Sequence, residues 1–270
     1  MTRGRLLGAL AAVAIAATLG VLVAGRGSAS PVSAAATKTS GASARLVFTL
    51  TLRGPARTVR VDGSGVVEGP NADLSVRASG APAAFPTALH ALLVRQGGHE
   101  LAFVHATPMP AFTGGKSWVE VDLSQLASSH GIDLGTLAGA GSALTPARVL
   151  DLLRQAGASV ENLGSATVGG AETTHYRVGV DLAELAQAAG LPQSLSGRLG
   201  RLAAQQVPVD VWIGTDGLLH RVSLDVRHGS HDASFEATLA RSTSAATITA
   251  PPSSDVLDAT TLLAGLGAGA

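Results

Sequence analysis

The sequence predicts an α+β fold: a curved antiparallel β-sheet, a half-barrel, wrapped over helices. Three observations carry that expectation. Many segments alternate apolar and polar residues with a period of two, the mark of strands with one buried face. Gly-containing turns join successive strands, as in Val207–Val226, where Thr215-Asp216-Gly217 separates two alternating runs. Between the strand-rich stretches the period lengthens to that of helices, and strands, then helices, then strands again is an α+β order.

The elements follow in chain order. Arg3 and Arg5 precede an uncharged run from Leu6 to Ala24, the layout of an export signal, with a length that also suits one membrane-spanning helix. Residues 1–27 therefore read as a signal peptide or a single N-terminal anchor. Small-x-small sites such as Val32-Ser33-Ala34 follow, so cleavage and retention both stay open. In either case the rest of the chain is placed outside the cytoplasm: at the outer face of the membrane, in the cell wall, or secreted. Residues 28–44 (SASPVSAAATKTSGASA) read as a flexible small-residue linker without periodicity.

Residues 45–256 form the folded domain. Leu46, Phe48, Leu50 and Leu52 alternate with Val47, Thr49, Thr51 and Arg53. Short strands follow around Val59–Val61, Val66-Val67 and Leu74–Val76. Ala91–Val94 and Leu101–Val104 flank a turn at Gln96-Gly97-Gly98, and Ser117–Leu123 adds a further strand. Helical spacing then runs over Leu123–Leu137, and a helix starts at Thr145-Pro146, with Thr as cap and Pro at its first position. Extended structure returns at 161–170 and at 171–182, where Thr174, Tyr176 and Val178 share one face and His175 and Arg177 the other. Residues 182–190 and 195–206 read as helical. After the 207–226 hairpin, Ala233–Leu239 and Thr247–Thr249 read as strands. Residues 257–270, ending in LLAGLGAGA, read as a low-complexity tail.

Composition narrows the function. Hydrophobic residues make up 46% of the chain and aromatics 3%, so the core is built from Val, Leu and Ala. Residues 1–34 carry three arginines and no acid. The remainder, with 16 bases against 19 acids, lacks the basic footprint of a nucleic-acid binder. The absence of Cys excludes disulfides, thiolate metal sites and a Cys nucleophile, and with them a diacylglyceryl anchor. His228-Gly229-Ser230-His231 has no carboxylate pattern beside it and reads as a loop, not a metal site. Gly114-Gly115-Lys116-Ser117 resembles the end of a phosphate loop, but Pro110 stands where the first Gly is needed and a strand follows. No nucleophile elbow or paired-carboxylate motif is present. The chain reads as a non-enzyme without cofactor or metal.

Four segments stand in a recognisable order. They are GKSWVEVDL (115–123), VGGAETTHYRVGVDL (168–182), VPVDVWIGTDGLLHRVSLDV (207–226) and TITAPPSSDV (247–256). In this order the chain resembles the LppX/LprG-type lipoproteins of mycobacteria and related actinobacteria, within the LolA-like group, over most of residues 45–256. It departs from them at Arg26, which follows Val23-Ala24-Gly25 where a lipidated Cys is expected. The resemblance implies an apolar cavity between sheet and helices that holds acyl chains, and a carrier of lipids or glycolipids in the cell envelope. Candidate lining residues are Phe48, Leu50, Phe103, Trp118, Leu126, Leu134, Val149, Leu153, Val178, Trp212, Val222, Leu224 and Phe235. Each also fits an ordinary filled core. The expected partners are lipid or glycolipid acyl chains and the membrane surface, with an envelope protein as a further partner and no nucleic acid. The alternative is a non-catalytic interaction or structural module of the envelope with a filled core.

Overall fold

A computed structural model describes residues 31–40, 42–81, 86–107, 113–123, 125, 160–180, 207–228, 230–242 and 247–260. Among these residues the protein is one twelve-stranded sheet with one α-helix, α1 (Pro31–Ser40). The strands are β1 (Ser43–Arg53), β2 (Thr58–Glu68), β3 (Asn71–Ser79), β4 (Ala88–Gln96), β5 (His99–Thr107), β6 (Trp118–Asp122), β7 (Val160–Val168), β8 (Ala171–Val180), β9 (Val207–Gly214), β10 (Leu219–His228), β11 (His231–Arg241) and β12 (Val256–Asp258).

This corrects the α+β expectation. The described backbone satisfies its polar groups almost entirely by cross-strand pairing, and no layer of helices lies on the sheet among the described residues. The helical readings beyond residue 125, including the helix from Thr145 and those at 182–190 and 195–206, lie outside the described residues. The single helix falls instead in the segment read as a linker. Thr247–Thr249, read as a strand, makes no ladder. Among the described residues the last strand is β12, which starts just before the segment read as a tail and makes the one parallel pairing, against β6.

The strand order is β12-β6-β5-β4-β3-β2-β1-β11-β10-β9-β8-β7. Two antiparallel meanders therefore meet at the β1/β11 ladder, where Leu46 faces Leu239, Phe48 faces Ala237 and Leu50 faces Phe235. Adjacent strands rotate by about 20–25° relative to one another, and open sheets of more than about ten strands curl. Two glycines in β2 let neighbouring groups approach closely. A Cβ at Gly65 would stand 1.9 Å from the carbonyl oxygen of Asp73, and one at Gly63 would stand 2.2 Å from the Phe48 ring. A strand-interior glycine of this kind marks a site of close approach. Gly63 and Gly65 pair with Phe48 and Leu46, so they lie on the apolar face, where neighbouring groups leave no room for a Cβ.

β10 carries one irregularity. Its register against β9 shifts between Leu219 and Arg221. The extra residue, His220, puts Leu219 opposite Ile213 and Val222 opposite Val211 on the same face. The sequence places His220 on the apolar face; the bulge turns it out to Asp216, with Nε2 3.2 Å from Oδ1.

Candidate functional site

The apolar face is one continuous surface. Leu46, Phe48, Leu50, Leu52, Val61 and Leu74 are buried on its N-terminal half, and Val178, Val211, Val222 and Phe235 on its C-terminal half. Cross-strand pairing links them: Leu50 sits between Val61 and Phe235, Leu224 pairs with Phe235 and Val209, and Val178 pairs with Val209. Phe48 and Phe235 have ring centroids 6.3 Å apart at 32°, within the range of favourable aromatic pairs. The Phe48 ring lies over Gly63, so one aromatic side chain covers what a glycine leaves bare. The lining of this face is mostly hydrocarbon and aromatic, with the hydroxyl-bearing Thr174 and Tyr176 beside Val178 on β8. Phe48, Leu50, Val178, Val222 and Phe235 are buried within the protein and Leu224 partly so, so the fold already holds this apolar surface out of water.

Six of the predicted lining residues come together here: Phe48, Leu50, Val178, Val222, Leu224 and Phe235. Three do not. Alternation puts Leu92 and Val94 of β4 on the opposite face from Ala91 and Leu93, and Phe103 pairs with Leu92. Phe103 and Trp118 therefore belong to a second, smaller core on the far side of the sheet, covered by Ile248, Ala250 and Val256. Trp118 also packs there between His90 and His105, at centroid distances of 5.1 and 5.6 Å. Trp212 is on this far face too. Its indole stacks on the His175 ring at 4.3 Å and 8°, and the Arg221 guanidinium lies 4.8 Å from its centroid. Leu126, Leu134, Val149 and Leu153 lie outside the described residues.

Val61, Val211 and Gly63 belong to the site and were not among the predicted residues. The period of two in β2 and β9 already carried Val61 and Val211; Gly63 showed itself only as a break in a strand.

The far face is held by charge. The Arg177 guanidinium grips Asp210 through Nε and Nη2 at 3.0 and 3.2 Å, and His175 Nε2 lies 2.9 Å from Asp210 Oδ1. His175, which the sequence leaves on a polar surface, is thus a partly covered link between Asp210 and Trp212. Burial pushes the Asp210 carboxyl up, but the hydrogen bonds from Arg177 and His175 outweigh it and hold the pKa below the usual carboxylate value. At the sheet's other end Glu120 behaves oppositely. Burial raises its pKa, and the neighbouring Asp258 and Asp122 raise it further. Asp258 faces Glu120 across the short parallel β6/β12 ladder.

At the outermost strand of the other edge, β7 is solvent-exposed along most of its length, with Val160 and Leu163 among its exposed residues. A bulge between Asn162 and Gly164 interrupts its pairing with β8, a device that discourages edge-to-edge pairing.

No protein-family profile and no curated protein sequence matches the chain. Solved structures do. The lipoprotein LppX of Mycobacterium tuberculosis is 16% identical, over 76% of this chain and 89% of its own, with a TM-score of 0.40. LprF of Mycobacterium bovis is 17% identical, over 80% and 92%, with a TM-score of 0.41. The MucA/MucB complex of Pseudomonas aeruginosa gives 10% identity and a TM-score of 0.33, over 80% of this chain and 58% of that one. Likeness at this level assigns this chain neither a family nor a ligand.

Proposed function

We propose that the protein is an extracytoplasmic carrier of lipids or glycolipids whose acyl chains lie against the apolar face around Phe48, Leu50, Val178, Val222, Leu224 and Phe235. The single observation that supports this most is that face itself. It joins apolar side chains from both meanders of one sheet in a single cluster. The order of the four motif segments and the basic-then-apolar start of the chain are consistent with it.

Such a site needs no reacting group. Each buried methylene contributes about 0.8 kcal/mol, so a long acyl chain offsets the several kcal/mol lost on association. The reading is tested on protein exported by a native-type host. Organic extraction and mass spectrometry are expected to recover a lipid in near-stoichiometric amount, and a fluorescent fatty-acyl probe to bind the delipidated protein. Protein without extractable lipid that also fails to bind the probe refutes it.

The alternative, a non-catalytic envelope interaction or structural module with a filled core, draws support from the burial of Leu50, Val178 and Phe235. It predicts that the same protein pulls down a partner protein and carries no lipid.

A further inference from the structure

The segment read as a featureless linker is built into the fold. Val32, Ala35 and Thr39 of α1 are all buried, at spacings of three and four that put them on one helical face. Val32 and Ala35 join the same apolar cluster as Leu46 and Leu219. Thr39 makes two bonds at once. Its hydroxyl donates to the Ala35 carbonyl at 2.7 Å and accepts the Leu219 backbone N–H at 2.8 Å. Leu219 is the residue where the β10 bulge begins, so a helix at the chain's beginning satisfies a buried donor 180 positions later. Lys38 Nζ adds a bond to the Asp216 carbonyl in the β9/β10 turn.

This arrangement bears on how the exported chain is trimmed. The small-x-small site Val32-Ser33-Ala34 lies inside α1. Cleavage after Ala34 would remove Val32 and leave six residues of a ten-residue helix, too few to hold their own conformation. Thr39 would then lose the scaffold that aims it at Leu219, and a buried N–H would be stranded.

We infer that α1 is a clamp that closes the β9/β10 turn onto the sheet, and that processing of this chain therefore leaves residue 31 and everything after it in place. Any cleavage falls at or before the Ser30–Pro31 bond.

The inference rests on residues 1–27 acting as an export segment only for where the trimming occurs. The full chain is expressed in an exporting host, as parent, as Val32→Ala and as Thr39→Val. Val32→Ala keeps the small-x-small site intact. The exported products are sequenced from their N-termini and melted. The expected N-terminus lies anywhere from Met1 to Pro31, and both variants melt lower than the parent, by about 5 °C or more. An N-terminus at Val32 or later overturns the inference, as does a Val32→Ala product that melts like the parent. Product that stays in the cytoplasm refutes the export reading instead, and its melting still decides whether α1 is a clamp.

Discussion

Leu50 and Val47 lie three residues apart on β1 and have opposite fates. Leu50 is 1% exposed, between Val61 and Phe235, whereas Val47 is 52% exposed on the far face. Replacing Leu50 with Ala deletes three buried carbons at the centre of the apolar face. Large-to-small changes of this kind cost about 2–5 kcal/mol, the loss of burial plus the cavity left behind. At roughly 2–4 °C per kcal/mol for a chain of this size, a mid-range cost of about 3 kcal/mol lowers the melting temperature by about 6–12 °C. Val47→Thr keeps the β-branched shape and changes only an exposed methyl, so it stays within about 0.5 kcal/mol of the parent. Calorimetry or circular dichroism on both variants reads the difference. Equal shifts, or a larger one for Val47→Thr, would refute the assignment of faces on β1, and with it the location of the proposed binding surface.

Gly63→Val forces a side chain into space held by the Phe48 ring. A cost of about 1–3 kcal/mol is expected, and the double variant Gly63→Ala/Phe48→Leu should lose less stability than its two single changes summed. Asp210, whose folded pKa is depressed, stabilises the protein above the ordinary Asp value of about 3.9. That contribution disappears as pH falls through the folded pKa. Thermal melts below about pH 4 should therefore decline more steeply for the parent than for Asp210→Asn, and parallel curves would argue against the Arg177–Asp210–His175 linkage. Glu120 has the opposite sign. Its raised pKa means the folded state holds the proton more tightly, so stability falls as pH rises from about 4.3 through the folded value. Glu120→Gln should melt higher than the parent at about pH 7, with the gap closing in acid; a variant that melts lower at neutral pH would sink this account of the β6/β12 junction.

Much of the sheet was legible because alternation is a strong local signal. Leu46-Phe48-Leu50-Leu52 and Val207–Ile213 could satisfy no other period, and the Gly-containing turns fixed where each strand reversed. What was not legible has physical causes. Leu92-Leu93-Val94 is apolar on both faces because β4 is buried on one and partly buried on the other, so nothing local told Phe103 and Trp118 apart from Leu50. The bulge at His220 inserts one residue without any glycine to announce it, and a one-residue shift exchanges the two faces. Among the described side chains, helix α1 buries small or weakly apolar ones, Val32, Ala35 and Thr39. Its amphipathic stripe was therefore hidden among Ala, Ser and Thr. The parallel β12 has three residues and is recognised by its partner β6, not by a pattern of its own.

The central claim concerns one surface, so the decisive measurement is where a bound acyl chain touches the protein. A fatty acid carrying a photoactivatable diazirine near mid-chain, loaded into the delipidated full-length protein and irradiated, can be located by peptide mass spectrometry. The account predicts adducts on β1, β10 and β11, at or beside Phe48, Leu50, Val222, Leu224 and Phe235, reduced by excess unlabelled lipid. Adducts confined to the far face around Phe103, Trp118 and Trp212, or labelling that unlabelled lipid does not compete away, would contradict it.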